Sequence, residues 1–565
     1  MEADSSVPTT EPIQVEPAEP TSVPILSSLD IQVDSSTRIF PEARLTLEKT
    51  VPLSIIDATV TRFAATAAAW LYDRPINTDA LSIERLKVAL EKTLNHYPQW
   101  AGKLHFAPYN AEGCHTQRFG RLMLSYGSTS DPGVHFQVAH SQVRLSSFIP
   151  SASERAAGAG IYDFTAIPIA ELLLDEQKLA LYNMKDFEGL PCMSVQLTTF
   201  VCGGISIAVK IAHPLADAQC MVQFVHDWAA INRALLANSI LPTIYRPFDP
   251  SLLDRAASGD IDAADPDPEL IKCSRELPVR RFDWWLSGEQ CPWPTNAGHV
   301  PPEIAVKGLV EPFGTPMPWN EWDVFAPVRH CLVYFTAEEL RRISEEASST
   351  ATYRISRLDA LLGHVWHLLS CARNLDGDET SDLYVTFGAR GRVSPPLPET
   401  FIGSPIIITH VASSNAISRG SRASAIRSSI SAFTPSNLGA FLHDKAYEGS
   451  PQRIWNTFFG KCNTLVTSWL RLGVYQMDFG SGSTPRYVEA IMPSVDGCIQ
   501  IMESGVSPLV QGGDWKKVHW ADEGVCVSLY LKDDVMERFL GDLQLRKYRS
   551  NAVCAGICGD PCSKN

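Results

Sequence analysis

The 565-residue chain is 45% hydrophobic and 20% charged, and its formal net charge is −15. That composition is ordinary for a globular protein, and the length predicts about two to four packing units. The acidic balance argues against nucleic acid as a partner, and no apolar run approaches the ~18 residues of a membrane-spanning helix.

Met1 to Asp34 is rich in Pro, Glu, Ser and Thr. It has neither the apolar region of a signal peptide nor the Arg-rich character of a transit peptide. Residues 1–40 therefore read as a disordered leader to a cytoplasmic protein. The 14 cysteines include no C-x-x-C pair, which points to reduced thiols. Cys554, Cys558 and Cys562 are evenly spaced in a tail at 551–565, but no histidine accompanies them and no metal is expected there.

A first lobe is expected over 41–241, with order beginning near Leu53. A β-rich stretch at Val60 to Phe63 is followed by an Ala-rich segment reaching Tyr72. Ile83, Leu86, Leu90 and Leu94 then define one face of a helix, capped by Thr78 or Asp79 and ending before Pro98. Alternating strands follow at Arg121 to Tyr126 and His135 to Val138. From Met193 to Ile211 a Val-, Ile- and Thr-rich run predicts two buried strands turning at Gly203-Gly204. Val222, Val225, Ala229 and Leu236 then return at helical spacing.

Residues 242–328 are dense in Pro and Trp and poor in periodicity, and predict a long crossover. The second lobe, 329–550, opens with a strand at His330 to Phe335. Thr336 with Glu339, and Ser356 with Asp359, form two capping boxes. Further strands are expected at Leu383 to Phe387, Ile406 to Val411, Thr464 to Trp469, Ile499 to Met502 and Val525 to Leu531, before a last helix from Asp534 to Leu543. The fold class is α/β.

Ala212-His213-Pro-Leu-Ala-Asp217 stands where a core strand ends and a helix begins, the usual ligand position in an open α/β sheet. A bare H-x-x-x-D leaves two readings, a structural histidine or a catalytic one. No G-x-S-x-G elbow, G-x-x-x-x-G-K-[ST] loop or strand-linked G-x-G-x-x-G offers a rival chemistry. His364 and His367, three apart on an apolar helix, read as a buried, hydrogen-bonded pair rather than metal ligands.

Several blocks together resemble the BAHD acyltransferases, from about Leu53 to Leu543. They are His213-Pro-Leu-Ala-Asp217, Leu94-Asn-His-Tyr-Pro-Gln-Trp-Ala-Gly-Lys-Leu104, Gly363-His-Val-Trp366, Arg390-Gly-Arg-Val-Ser-Pro-Pro-Leu-Pro398 with Gly403, Val466-Thr-Ser-Trp469 and Asp478-Phe-Gly-Ser-Gly482. Ser481 replaces the family's tryptophan and Ser404 its asparagine, as in filamentous-fungal members. The resemblance implies two chloramphenicol-acetyltransferase-like lobes with a channel between them. It implies a monomer that transfers an acyl group, most simply acetyl, from acyl-CoA as co-substrate to a hydroxyl of a small fungal secondary metabolite. An amine acceptor, or a condensation-type relative with a carrier-bound donor, are the alternatives. No permanently bound cofactor is implied. His213 would be the general base, Thr467 and Trp469 would lie at the reaction centre, and Asp217, Arg390, Asp478 and Gly480 would be structural. Ser356 and Arg357 would meet CoA phosphate, although Ser356 reads equally as a helix cap.

Overall fold

Strands Met193–Phe200 and Ile205–Ile211 pair antiparallel around a turn in which Gly203 has φ +81°, a conformation that favours glycine. They form the centre of one of three sheets in the computed structural model. The structure describes residues 21–22, 28–43, 47–60, 64–157, 159–173, 189–283, 286, 314–449, 455–506 and 518–549. The 551–565 tail, most of the leader and part of the crossover lie outside them.

The six-stranded sheet runs Tyr487–Ala490, Thr66–Tyr72, Ile205–Ile211, Met193–Phe200, Val134–Ser141, Ile31–Ile39. An eight-stranded sheet runs Thr21–Ser22, Ile161–Asp163, Val328–Phe335, Val525–Lys532, Cys498–Glu503, Asn463–Ser468, Thr380–Gly388, Ile406–Ser414. Lys49–Pro52, Leu122–Tyr126 and Lys103–Phe106 make a small third sheet. The helices Ile83–Leu94 and Ala218–Leu236 cover the six-stranded sheet, and the fully buried Trp228 indole donates to the Leu86 carbonyl at 3.0 Å. Side chains of this size each contribute about 1.5–3 kcal/mol on burial. In the second lobe Val333, Leu361, Val365, Trp366, Ile499, Val527 and Leu529 form a separate core beneath the helices Ala337–Thr350 and Arg357–Ala372.

The two lobes exchange strands. Tyr487–Ala490, from the second half, pairs antiparallel with Thr66–Tyr72, and Ile161–Asp163, from the first half, pairs antiparallel with Val328–Phe335. The boundaries at 41–241 and 329–550 are therefore not those of independent sheets. Order also begins earlier than Leu53. Ile31–Ile39 is an edge strand paired to Val134–Ser141, and because all but its two ends is exposed its sequence carries no apolar signal.

Local structure differs from expectation at three further places. Asp57–Val60 is a 3-10 turn rather than the start of a strand, and residues 61–63 lie outside the described ones. Ser82, not Thr78 or Asp79, stands at the N-cap position of the Ile83–Leu94 helix, without a side-chain capping bond, because Thr78–Leu81 forms its own 3-10 turn. The described part of the crossover contains the helices Ser251–Asp254 and Pro268–Arg275, the second capped by Asp267.

Candidate active site

The chain leaves the Ile205–Ile211 strand and makes a 3-10 turn over His213–Leu215, where Pro214 supplies a preset φ. The Ala212 N–H donates to the Cys192 carbonyl at 2.8 Å, and the Thr66 hydroxyl donates to the Ala216 carbonyl at 2.6 Å. Asp217 then caps the Ala218–Leu236 helix by accepting the Cys220 N–H at 2.9 Å. His213 is thus held on a short turn pinned at both ends.

The second half of the chain closes over that turn. Arg390 donates through both terminal nitrogens to the two Asp217 oxygens, one of them at 2.9 Å, and through Nη2 also to the Phe401 and Gly403 carbonyls at 3.3 Å each. The Asp217 N–H donates to the Gly403 carbonyl at 3.1 Å. Both partners are buried, so the pair is a desolvated, bidentate one in which each charge depends on the other. Asp217 faces Arg390, and its interaction with the imidazole is a matter of charge rather than of a direct bond.

His213 is half-buried. Its Nδ1 lies 2.9 Å from the Ser404 hydroxyl. Burial lowers its basicity below the ordinary histidine value, against an opposing bond to its own backbone and the charge of Asp217. The neutral imidazole, the form that accepts a proton, therefore dominates at neutral pH.

Thr467 lies on Asn463–Ser468 in register with Gln500, which is in turn in register with Ser528. Strand alternation separates the two faces of this sheet. Val466, Ile499 and Val527 enter the second-lobe core, whereas Met502 and Cys526 pack with the first lobe. Thr467 shares the face of Met502 and Cys526 and so looks onto the seam. Trp469 is buried among first-lobe side chains, and its backbone N–H donates to the Ile501 carbonyl at 2.8 Å. Farther along the seam, Glu489 on the exchanged strand lies 3.7 Å from His330, whose Nε2 is 2.5 Å from the Ser528 hydroxyl. Burial raises the Glu489 carboxyl to about 7 and lowers His330 to about 4.

Asp478 and Gly480 are placed away from this seam. Gly480, with φ +99°, donates its N–H to Asp478 Oδ1 at 2.8 Å, and a Cβ there would meet Leu236 Cδ2 at 2.8 Å. The adjoining Phe479 ring packs edge-on to Trp228 and its carbonyl accepts the Asn232 amide at 2.6 Å. This loop is a latch on the outer helix of the first lobe.

Ser356 caps the Arg357–Ala372 helix by accepting the Asp359 N–H at 3.2 Å, and its hydroxyl also accepts the Arg427 guanidinium at 3.0 Å. Arg357 is paired with Asp522 at 2.8 Å. Arg427 is likewise paired, donating to both Asp359 oxygens at 2.8 and 2.9 Å, so Arg357 and Arg427 at this helix N-terminus are each matched by a carboxylate.

Composition and spacing assigned no role to Asp57, Ser404, Arg427 or Glu489. Asp57 alone had a local signal, a single carboxylate in the apolar run Leu53-Ser-Ile-Ile-Asp57-Ala. His364 corrects the expectation of a hydrogen-bonded pair. Both its ring nitrogens are buried without a hydrogen-bond partner, and it is held by edge-on packing with Phe335 and Tyr548. Among the described residues no group of His, Cys, Asp and Glu is disposed to hold a metal ion, and no helix is long and apolar enough to cross a membrane. A pocket lined by Ile56, Val60, Ile407 and Phe441 lies behind the Asp57 turn and does not include His213.

The profile of the family described as Transferase family matches residues 29–246 and 324–519. Acyltransferase AFT15-1 of Alternaria alternata is 26% identical over 493 residues, covering 84% of this chain and 90% of that protein. Acyltransferase abl6 of Leptosphaeria maculans is 24% identical over 533 residues, covering 91% and 98%. The crystal structure of F. sporotrichioides TRI101 with coenzyme A and T-2 shares the fold, with a TM-score of 0.57 at 16% identity, covering 88% of this chain and 99% of that one. A matched profile over most of the chain, on two lobes closed around an H-x-x-x-D turn, shows that the protein belongs to the Transferase family, the BAHD acyltransferases.

Proposed function

We propose that the protein transfers an acyl group, most simply acetyl, from acyl-CoA to a hydroxyl of a small-molecule secondary metabolite, with His213 as general base. The observation that carries this reading is the neutral imidazole of His213, held through Nδ1 on a pinned turn where the two lobes meet. The acceptor O–H gives its proton to Nε2 as its oxygen forms a bond to the thioester carbonyl carbon. The carbonyl electrons move onto oxygen, and the Thr467 hydroxyl is suited to donate to that oxyanion. Collapse of the intermediate breaks the C–S bond. The imidazolium then returns its proton to the departing thiolate, so His213 ends as it began. General-base action is worth about 10²–10⁴-fold, leaving the remainder to positioning and to oxyanion stabilisation.

A CoA phosphate is proposed to meet Ser356 and Arg357 at the start of the Arg357–Ala372 helix, where free N–H groups favour an anion and the phosphate would compete with the Asp522 that now pairs Arg357. The enzyme is proposed to act as a monomer.

The test is incubation with acetyl-CoA and panels of fungal alcohols and amines, following thiol release and product mass. Acylated alcohols are expected, and H213A should lose nearly all turnover. Full activity in H213A would remove the base assignment. Products confined to the amine panel would replace O-acylation with N-acylation.

A further inference from the structure

The family's usual asparagine is replaced here by Ser404, and the structure gives that serine two contacts that meet at the base. Its hydroxyl lies 2.9 Å from His213 Nδ1, and its backbone N–H donates to Asp57 Oδ1 at 2.5 Å. Asp57 is fixed in turn by its own N–H, which donates to the Ser54 hydroxyl at 3.1 Å. It is almost wholly buried, and its second oxygen has no hydrogen-bond partner. A buried, half-satisfied carboxyl is costly to keep, and here it touches a second-lobe residue that itself contacts the imidazole. The backbone before Ser404 is shaped to admit it, because Gly403 has φ +153° and a Cβ there would stand 2.9 Å from both Asp57 oxygens.

We propose that Ser404, held in place by Asp57, is a positioning residue that fixes the orientation and tautomer of His213. This rests on the reading of His213 as the base. With Nε2 as the base and its lone pair offered to the acceptor, Nδ1 carries the proton. The Ser404 oxygen accepts from the same Nδ1–H and keeps the ring plane fixed. Asp57 accepts from Ser404 and holds the Gly403-Ser404 segment against the first lobe. Burial raises the Asp57 carboxyl to about 7, so much of it is neutral at working pH and no full negative charge opposes the relay. The charged groups around it are Asp217 and Arg390 beside the imidazole and Asp254, whose charge raises Asp57 further; the Cys220 thiol faces the same carboxyl from the Ala218–Leu236 helix.

The test compares S404A, S404T, D57N and D57A in the full-length enzyme with acetyl-CoA and an accepted alcohol, measuring kcat and both KM values from pH 5 to 9. S404A is expected to lower kcat about tenfold to a hundredfold with both KM values little changed. Its acid limb should move to lower pH, because the lost acceptor had favoured the imidazolium. S404T, which keeps the hydroxyl, should restore most of kcat. D57N keeps an acceptor oxygen and should retain more activity than D57A, and D57A with S404A should be no worse than the poorer single variant. Wild-type kcat in S404A with an unshifted limb, or multiplicative losses in the double variant, would overturn the relay. If S404A does not fold, D57A against D57N decides by the same limb. Full activity in H213A would instead defeat the base reading, and an inactive H213A beside an indifferent Ser404 would defeat only the relay.

Discussion

Arg390 reaches across the seam to Asp217 with both ends of its guanidinium, so a charge from the second lobe fixes the turn that carries His213 in the first. Breaking such a buried pair from one side leaves the other charge unpaired, at about 3–5 kcal/mol. Asp217→Asn is therefore expected to lose stability of that order, read as a lower melting temperature and soluble yield. A D217N protein with wild-type stability but no turnover would place Asp217 in the chemistry instead.

Burial holds His213 below its ordinary basicity. A base must be unprotonated to work, so activity should persist as pH falls through 6.5 and fail only below it. A kcat/KM profile whose acid limb lies above about 6.5 would contradict this, since that is the value of an unperturbed histidine.

Glu489 gives a pH dependence of stability with a definite sign. Its folded value is about 7, above the unfolded 4.5, so folding favours its protonated form. The associated stability is fully present below pH 4.5 and is lost as pH rises through 7. At about 1.4 kcal/mol per pH unit, on the order of 3 kcal/mol disappears over this window. Glu489→Gln should remove that slope, making E489Q the more stable protein at pH 8 relative to pH 5. Parallel denaturation curves for the two proteins at both pH values would show that the carboxyl ionises without penalty.

Ser356 and Arg427 separate capping from phosphate binding. Ser356→Ala removes a cap worth about 1 kcal/mol. Arg427→Ala removes a cation beside the helix N-terminus and with it the ionic partner of the buried Asp359, so its melting temperature is measured alongside. If CoA phosphate binds there, R427A should raise the KM for acetyl-CoA severalfold, in a manner that weakens at high salt, with kcat little changed. An unchanged KM at low salt would assign both residues to the fold alone.

What the sequence made legible was local. The hairpin ending at Ile211, the helix after Asp217, and the capping boxes at Thr336 and Ser356 all follow from short-range pattern and appear in the structure. The Arg419–Ser431 helix did not announce itself, because its serines compete for backbone hydrogen bonds and read as loop. The Ile31–Ile39 strand was hidden by its polar, exposed middle. Ser404 and His213 are 191 positions apart, and Glu489 and His330 are joined only through an exchanged strand. Periodicity says which face of an element is buried, but not which element of another lobe will cover it.

The exchanged Tyr487–Ala490 strand bears on how the molecule comes into being. A nascent chain that has emerged as far as residue 450 already carries Thr66–Tyr72 with one open flank, awaiting a ribbon not yet synthesised. Cutting the gene between the lobes would leave each product with an incomplete sheet, so neither is expected to be stable alone. Co-expressed fragments should regain activity only as a reassembled pair.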